Sequence, residues 1–550
     1  MEATAIQNSI IEHKGNTVVM ASPGSGKTFV ISEKIKKILG DDTMLDYQGV
    51  IAISYTRKAS GNLKQRTLVD GVWGKNSFFG TIDSFCLTQI VLPFGNFVMG
   101  HPSCEVTPIA YSELTKEQKE DFEWLTQGHP SYDSIKEPTW KLFYELFLSG
   151  KVMVESLELL ALHILKVSPA CRNYFKARYK YIFIDEFQDT DEYTNGVFLE
   201  LIGLGIIGNV VGDANQSIFG FAHKSSKYLL SLEQNQEFTS FRLARNFRCS
   251  ATIVNYSNRL MDKNCSLIDT DEDGVELITV NGDEEKVASY IERYVDEDCE
   301  KYHVTDKREV AILVKTRRMQ ELIDQNLDIP HRVIESTEMD ADLNPRSRLY
   351  GLLLQYYFDA AMRFVSVTDE FVDYDAFTEN ERKRLFELKE EIRSVLIKDI
   401  EDELPKLFKA VSDIVLPEYE EGVSSAHLKS VLSDKAKRDT YRPITGNEVV
   451  IMTLHKAKGL EFDIVYHLNL NKWELPVPKI VNNDWDHPQY PTWNQDLDLH
   501  YVGVTRAKKA CFLITSTKRH KADMKLGNSS PSEFLNWNGV EKLRKDYTFE

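Results

Sequence analysis

The chain has 550 residues, 42% apolar and 27% charged, with a formal charge of −18. That length exceeds one compact core, and the composition fits a folded protein and not a disordered one. The acidic balance excludes a uniformly basic coat for duplex DNA. Nucleic-acid contact must come from a local groove, or a partner chain must supply the surface.

No apolar run reaches the roughly 18 residues of a membrane span, and no basic-then-apolar leader follows Met1. A cytoplasmic protein without membrane association is expected. Cysteines 86, 104, 171, 249, 265, 299 and 511 are scattered, with no CxxC pair. That argues against a zinc ribbon, an iron–sulfur cluster or a disulfide framework, and predicts reduced core thiols.

Residues 1–16 predict a short helix carrying Gln7, a residue able to read an adenine edge by paired hydrogen bonds. The apolar run 17–20 predicts a buried strand. It leads into Ala21, Ser22, Pro23, Gly24, Ser25, Gly26, Lys27 and Thr28, which read as a phosphate-binding loop. Glycines let backbone N–H groups turn inward, Lys27 reaches the β- and γ-phosphates, and Thr28 sits on Mg²⁺. The following helix, with Val30, Ile31, Ile35 and Ile38 on one face, adds its N-terminal dipole. The plain alternative is a Gly-Ser turn before a helix, which does not account for the lysine at this spacing.

Residues 49–55 predict a buried strand with Thr56 and Arg57 after it. Residues 78–85 repeat the plan of strand, small polar residues and helix. Strand ends of this kind bind ligands in parallel α/β sheets. Residues 87–167 then lose the strand pattern and predict a helical insertion. Strands resume at 181–184, followed directly by Asp185 and Glu186. Adjacent carboxylates at a buried strand end fit chemistry better than packing: Asp185 holds Mg²⁺ through water and Glu186 deprotonates the attacking water.

The strand at 209–211 ends in a loop with Gln216, placed for a γ-phosphate or its attacking water. Phe219 and Phe221 follow, as core or as a base-stacking surface. In 243–248, Phe247 is a candidate base stacker and Arg248 a candidate phosphate clamp. A second α/β unit follows, with strands at 275–278 and 309–314. Acidic helical sequence dominates 365–443, and strands return at 448–452 and 463–466. Residues 501–507 are expected to begin a short helix leading to a strand at 511–515, with Arg506 a candidate arginine finger.

With DEFQD, GDANQSIF, NFR, TLHKAKGLEF and YVGVTRA in this order, the chain resembles the UvrD/Rep/PcrA-like DNA helicases of superfamily 1 over nearly its whole length. The resemblance implies an α/β fold of two RecA-like P-loop lobes, each with a helical insertion. The first lobe is 1–86 and 168–240, with its insertion at 87–167. The second is 241–364 and 444–550, with a short insertion at 365–443. It implies a DNA-dependent ATPase and 3′-to-5′ helicase or translocase using ATP and Mg²⁺. Gln7 reads adenine, Phe247 stacks on it, and Glu461, beside Gly459, holds the ribose. Lys27 and Thr28 bind phosphate and Mg²⁺, with Asp185 and Glu186 as the Walker B pair. Gln216, Arg248 and Arg506 surround the γ-phosphate. Single-stranded DNA is gripped by Tyr55, Thr56, Arg57, Thr81, Phe219, Phe221, Thr453 and His455.

Departures from the family pattern thin the DNA grip: Asp83 replaces a usual His, and SIFGFAHK replaces SIYRWRGA. FGTIDSF, RYKYIFIDEFQD and NFRCSATIVNYSN resemble the helicase-like subunits of Gabija antiphage systems, the GajB group. That implies an OLD-family Toprim nuclease partner, GajA-like, in a hetero-oligomer. The competing expectations are a DNA-sensing, NTP-hydrolysing regulatory subunit and a DNA repair helicase.

Overall fold

A computed structural model describes residues 3–41, 44–69, 74–128, 130–220, 224–342, 344–372, 374–481, 484, 487–521 and 523–550. The chain forms two compact units, Met1–Val287 with Leu454–Glu550, and Ala288–Thr453. Both are mixed α/β, with parallel sheets flanked by helices.

In chain order the strands are β1 Thr17–Ala21, β2 Gly49–Ile53, β3 Phe78–Gly80, β4 Thr107–Ile109, β5 Lys151–Met153, β6 Tyr179–Ile184, β7 Ile207–Gly212 and β8 Thr239–Leu243. After them come β9 Val275–Val280, β10 Val310–Val314, β11 His331–Val333, β12 Val449–Thr453, β13 Phe462–His467, β14 Ala507–Ser516, β15 Lys518–His520, β16 Leu526–Asn528 and β17 Lys545–Phe549.

The first unit is built on a six-stranded parallel sheet in the order β3-β2-β6-β7-β1-β8. Its central strands are apolar on both faces, as a sheet covered by helices on both sides requires: Val18, Val50, Ile51, Ala52, Ile182 and Val210 are fully buried. Helix Lys27–Leu39 packs Val30, Ile31 and Ile35 against Val19, Val50 and Phe183. Because every strand runs the same way, their carboxyl ends share one edge. The loops after β1, β2, β3, β6, β7 and β8 all open there. The same unit holds a second parallel set, β13-β14-β9-β17.

The second unit carries the parallel set β11-β12-β10 and a helical region. Helices Pro345–Phe358, Glu379–Ser394, Ile400–Val415 and Ser424–Ser433 close around Leu349, Leu353, Leu388, Phe408 and Leu428. Among the described residues of 365–443 every element is a helix.

Three local expectations need correction. Residues 87–167 are not strand-free: β4 and β5 pair in parallel, anchored where Thr107 N–H donates to Gly150 O at 3.0 Å. Three-residue strands are too short to show an alternation. Residues 501–507 do not begin a helix. Helix Trp493–Thr505 ends there, and β14 starts at Ala507. Nearly all of its last turns are buried, so no amphipathic period marks its start. Finally, not every thiol is a core residue. Cys86, Cys171, Cys299 and Cys511 are buried and all seven are free, but Cys104 is exposed. Among the described residues no helix is long and apolar enough to cross a membrane.

Candidate nucleotide site and ring cluster

The loop after β1 is held from three sides. Gly24 and Gly26 take φ of +65° and +86°, the left-handed region that favours glycine. A Cβ on Gly24 would lie 2.4 Å from Asn246 Oδ1, and one on Gly26 would lie 2.8 Å from Gln7 Nε2. The glycines therefore serve both the turn and the close approach of neighbours. Gln7 is buried, and its amide is used at both ends. Its Oε1 accepts from Thr4 N–H at 2.9 Å in a capping box, and its Nε2 donates to Ser25 O at 3.2 Å. Ser22 N–H donates to Leu243 O, and Phe247 N–H donates to Gly24 O at 2.9 Å. Ala21, Pro23 and Ser25 are buried, and Thr28 stands at the second position of helix Lys27–Leu39.

Lys27 Nζ lies 3.2 Å from Glu186 Oε1. Glu186 has φ +56°, a strained conformation for a residue with a side chain and one common at working sites. Its Oε2 accepts from Gln188 Nε2, while its backbone N–H donates to Asp185 Oδ1 at 2.9 Å. Burial, with Glu186 beside it, raises the Asp185 carboxyl well above its ordinary range. Burial would raise Glu186 too, but Lys27 and Lys458 hold it ionised. Burial opposes the Lys27 charge, and Glu186, Asp213 and Asp185 together outweigh it.

Gln216 is buried after β7. Its Nε2 donates to Asp213 Oδ2 at 2.8 Å, and its Oε1 accepts from Arg506 Nη2 at 3.1 Å. Arg506, 2% exposed, also donates to Leu460 O at 3.0 Å and Val502 O at 3.1 Å. Burial, and then Arg248, lower its pKa to about 10, so the guanidinium stays charged. Arg248 forms a 2.6 Å ion pair with Glu461, and Asn246 Oδ1 fixes its backbone by accepting from Arg248 N–H at 2.7 Å. Gly459 and Glu461 are exposed, and Arg245 lies over the Phe247 ring at 4.9 Å.

A second cluster gathers aromatic rings and lysines. Tyr55 and Phe219 stack with centroids 5.0 Å apart, and the His455 ring lies 6.1 Å from Phe219. Lys224 Nζ sits 4.6 Å over Tyr55, and Lys458 Nζ sits 4.9 Å over Phe219. Lys458 joins the two clusters: its ammonium pairs with Asp189 and donates to Gln216 O. Thr56 and Thr81 cap helices, accepting from Ala59 N–H at 3.1 Å and Ser84 N–H at 3.3 Å. Arg57 is exposed in the first turn of helix Arg57–Thr67. Thr453 ends β12 in the second unit, and Phe221 lies outside the described residues.

Sequence reading missed Asp213, Lys224, Lys458 and Asp498. Asp213 carried a signal, an acid directly after an apolar strand. The other three are single charges in polar stretches, and only the fold brings them in.

The model described as the UvrD/REP helicase N-terminal domain matches residues 3–97 and 106–237. The model of the UvrD-like helicase C-terminal domain matches residues 358–518. This chain belongs to the UvrD-like helicases. These are RecA-like enzymes that hydrolyse ATP on DNA, normally with Mg²⁺. The chain is 25% identical over 537 residues to Gabija protein GajB of Bacillus cereus (strain VD045), covering 94% of this chain and 96% of that one. It is 24% identical over 630 residues to the ATP-dependent DNA helicase PcrA of Staphylococcus epidermidis, covering 95% and 84%. PcrA of Staphylococcus aureus aligns similarly, 24% identical over 626 residues.

The residues present fit a triphosphate and its cation. Two left-handed glycines cradle the space beside Lys27, the buried Ser25 Oγ has no hydrogen-bond partner, and the carboxylates of Asp185 and Asp213 provide hard oxygen ligands.

Proposed function

We propose that the chain hydrolyses ATP at the Lys27 loop and couples this to movement on single-stranded DNA. The observation that carries the reading is one cluster of half-buried Lys27 and Glu186 with buried Asp185, Gln216 and Arg506, drawn from four separate chain segments. Its nucleotide-binding loop comes from the proposed first lobe (1–86, 168–240), and Arg248 and Arg506 come from the second (241–364, 444–550). The insertions are 87–167 and 365–443.

Lys27 is engaged by Glu186 and must release it to meet phosphate oxygens. That release frees Glu186 to take a proton from the attacking water. Asp185, with Thr28, orients the cation, whose Lewis acidity the family's chemistry uses. Gln216 positions the water or the γ-phosphate. Arg506, aimed by three further hydrogen bonds, meets the charge that develops on the transferred group. Arg248 leaves Glu461 to join it, and Glu461 turns to the ribose. Gln7 reads adenine, and Phe247 with Gly459 flanks the nucleoside. Tyr55, Thr56, Arg57, Thr81, Phe219, Phe221, Thr453 and His455 track the strand in the 3′-to-5′ sense.

The similarity to a Gabija protein along nearly both full lengths supports a narrower role. In this reading the chain is cytoplasmic and serves antiphage defence with an OLD-family Toprim nuclease. One observation favours a regulatory variant, in which DNA is sensed without processive unwinding. The Tyr55 and Phe219 faces are already occupied by each other and by lysines. Measuring ATPase with and without single-stranded DNA beside strand displacement separates the readings. DNA-stimulated turnover with displacement supports the translocase, and stimulated turnover without displacement supports the sensor. Turnover indifferent to DNA contradicts both.

A further inference from the structure

Outside every motif above, three metal-ligating side chains meet in the first unit. Asp283 and Glu284 stand where β9 gives way to the helix Glu284–Lys301, and His520 ends β15. One ligand atom from each lies within 4.8 Å of the other two. Glu284 is 3% exposed. Its Oε1 accepts from His520 N–H at 2.9 Å, and its Oε2 accepts from His520 Nδ1 at 2.7 Å.

The frame behind these groups is fixed by backbone. Thr517 N–H donates to Val280 O at 3.0 Å, and Lys518 N–H donates to Gly282 O at 2.9 Å. The antiparallel pair β15–β16 holds His520 from its other side. The Glu284–His520 bond accounts for two of the groups. It does not account for a second carboxylate, Asp283, within the same reach. Two carboxylates held this close repel unless a positive charge lies between them.

We propose that Asp283, Glu284 and His520 bind a divalent transition-metal cation of the zinc class, pinning the β15–β16 hairpin to the turn after β9. One imidazole nitrogen and two carboxylate oxygens suit Zn²⁺, Co²⁺ or Mn²⁺ better than the all-oxygen cations Ca²⁺ and Mg²⁺. Bonds of about 2.1 Å put tetrahedral ligands about 3.4 Å apart, inside the 4.8 Å that spans the three ligand atoms. Ligation by Nδ1 uses the neutral tautomer protonated at Nε2. The proton now shared with Glu284 moves to Nε2, and the ring's charge is unchanged.

The test is a Co²⁺ titration of the full chain, chelator-treated and free of nucleotide, read by visible d–d absorbance. Zn²⁺ is then added to displace it. One equivalent is expected, with a rise in thermal midpoint on adding Zn²⁺. Asp283→Asn keeps the Glu284–His520 bond and removes one of the two facing carboxylates, so the metal-free protein should melt no lower than wild type does. Its Co²⁺ affinity should fall at least as far as loss of an outer-shell partner causes, roughly 10–100-fold. His520→Asn should abolish the band. Asp185→Asn should leave the band intact, because the nucleotide-site carboxylates are a separate place for Co²⁺. Absence of a saturable band overturns the proposal. So does Co²⁺ binding unchanged in Asp283→Asn and His520→Asn, or binding lost only in Asp185→Asn. In those cases the two carboxylates serve the helix start alone.

Discussion

The nucleotide site and the ring cluster lie on the same sheet edge but are built by opposite rules. At the first, the groups expected to meet phosphate already engage one another: Lys27 with Glu186, Gln216 with Arg506, Arg248 with Glu461. Each pair is a charged or polar match that, in the proposed function, a nucleotide breaks and replaces. At the second, contact is made by ring faces and two lysines, and a base gains little until the Tyr55–Phe219 stack opens. The first is a poised electrostatic switch, while the second is a closed surface. Lys458 touches both, through Asp189 and Gln216 on one side and Phe219 on the other.

The largest effect should come from the charge that completes the first site. Arg506→Ala should lower kcat of DNA-stimulated ATP hydrolysis by about 10³–10⁵, the range for an arginine finger. Nucleotide affinity should change far less. A rise in KM with kcat unchanged would instead make Arg506 a residue that binds the ground state and the transition state equally.

At the ring cluster, Phe219→Ala should weaken binding to oligo(dT) by about 1–3 kcal/mol, the worth of one stacked base. Unstimulated ATPase should stay near wild type, as fluorescence anisotropy beside steady-state turnover will tell. Equal loss of both would mean that the two regions are not separable.

Smaller still is a pH effect from the buried acids beside Lys458. Burial pushes Asp189 up to about 6 and, with Asp213, pushes Asp498 up to about 8. Both folded values lie above the ordinary 3.8, so each group's stabilisation is full below about pH 4 and is lost as pH rises through the folded value. The thermal midpoint of Asp498→Asn should therefore gain on wild type between about pH 4 and 8 and level off above. A constant offset across that range would contradict the assignment.

The smallest effect is expected at Gln7. Losing its capping contact costs about 1 kcal/mol of local stability, and Gln7→Ala should narrow the preference for ATP over GTP. An unchanged ATP/GTP ratio would leave Gln7 as a support for Ser25 only.

The same contrast explains what was legible in the sequence. β1 and β2 are nearly continuous apolar runs, and β6 and β7 close on short ones, 182–184 and 210–211, each followed by a polar loop, so strand and site residue announce each other. Lys27, Asp185, Glu186 and Gln216 were readable for that reason. Arg506 was readable as a residue, but not as the end of a helix that begins at Trp493, because Leu497, Leu499, Val502 and Val504 are buried all around it. Lys224 and Lys458 matter through their position over rings that lie far off in sequence, which no local pattern encodes. β4 and β5 are too short for any period to appear.

The central claim is that Glu186 is held ionised by Lys27 and becomes the base once the lysine moves to phosphate. Glu186→Gln tests it most directly, with Mg·ATP binding and turnover measured on the same preparation in saturating single-stranded DNA. The account predicts ATP binding retained or tightened, because Lys27 no longer has to leave a carboxylate. It predicts turnover lower by roughly 10²–10⁴, the usual worth of a general base. Turnover within about threefold of wild type, far short of a lost base, would contradict the account.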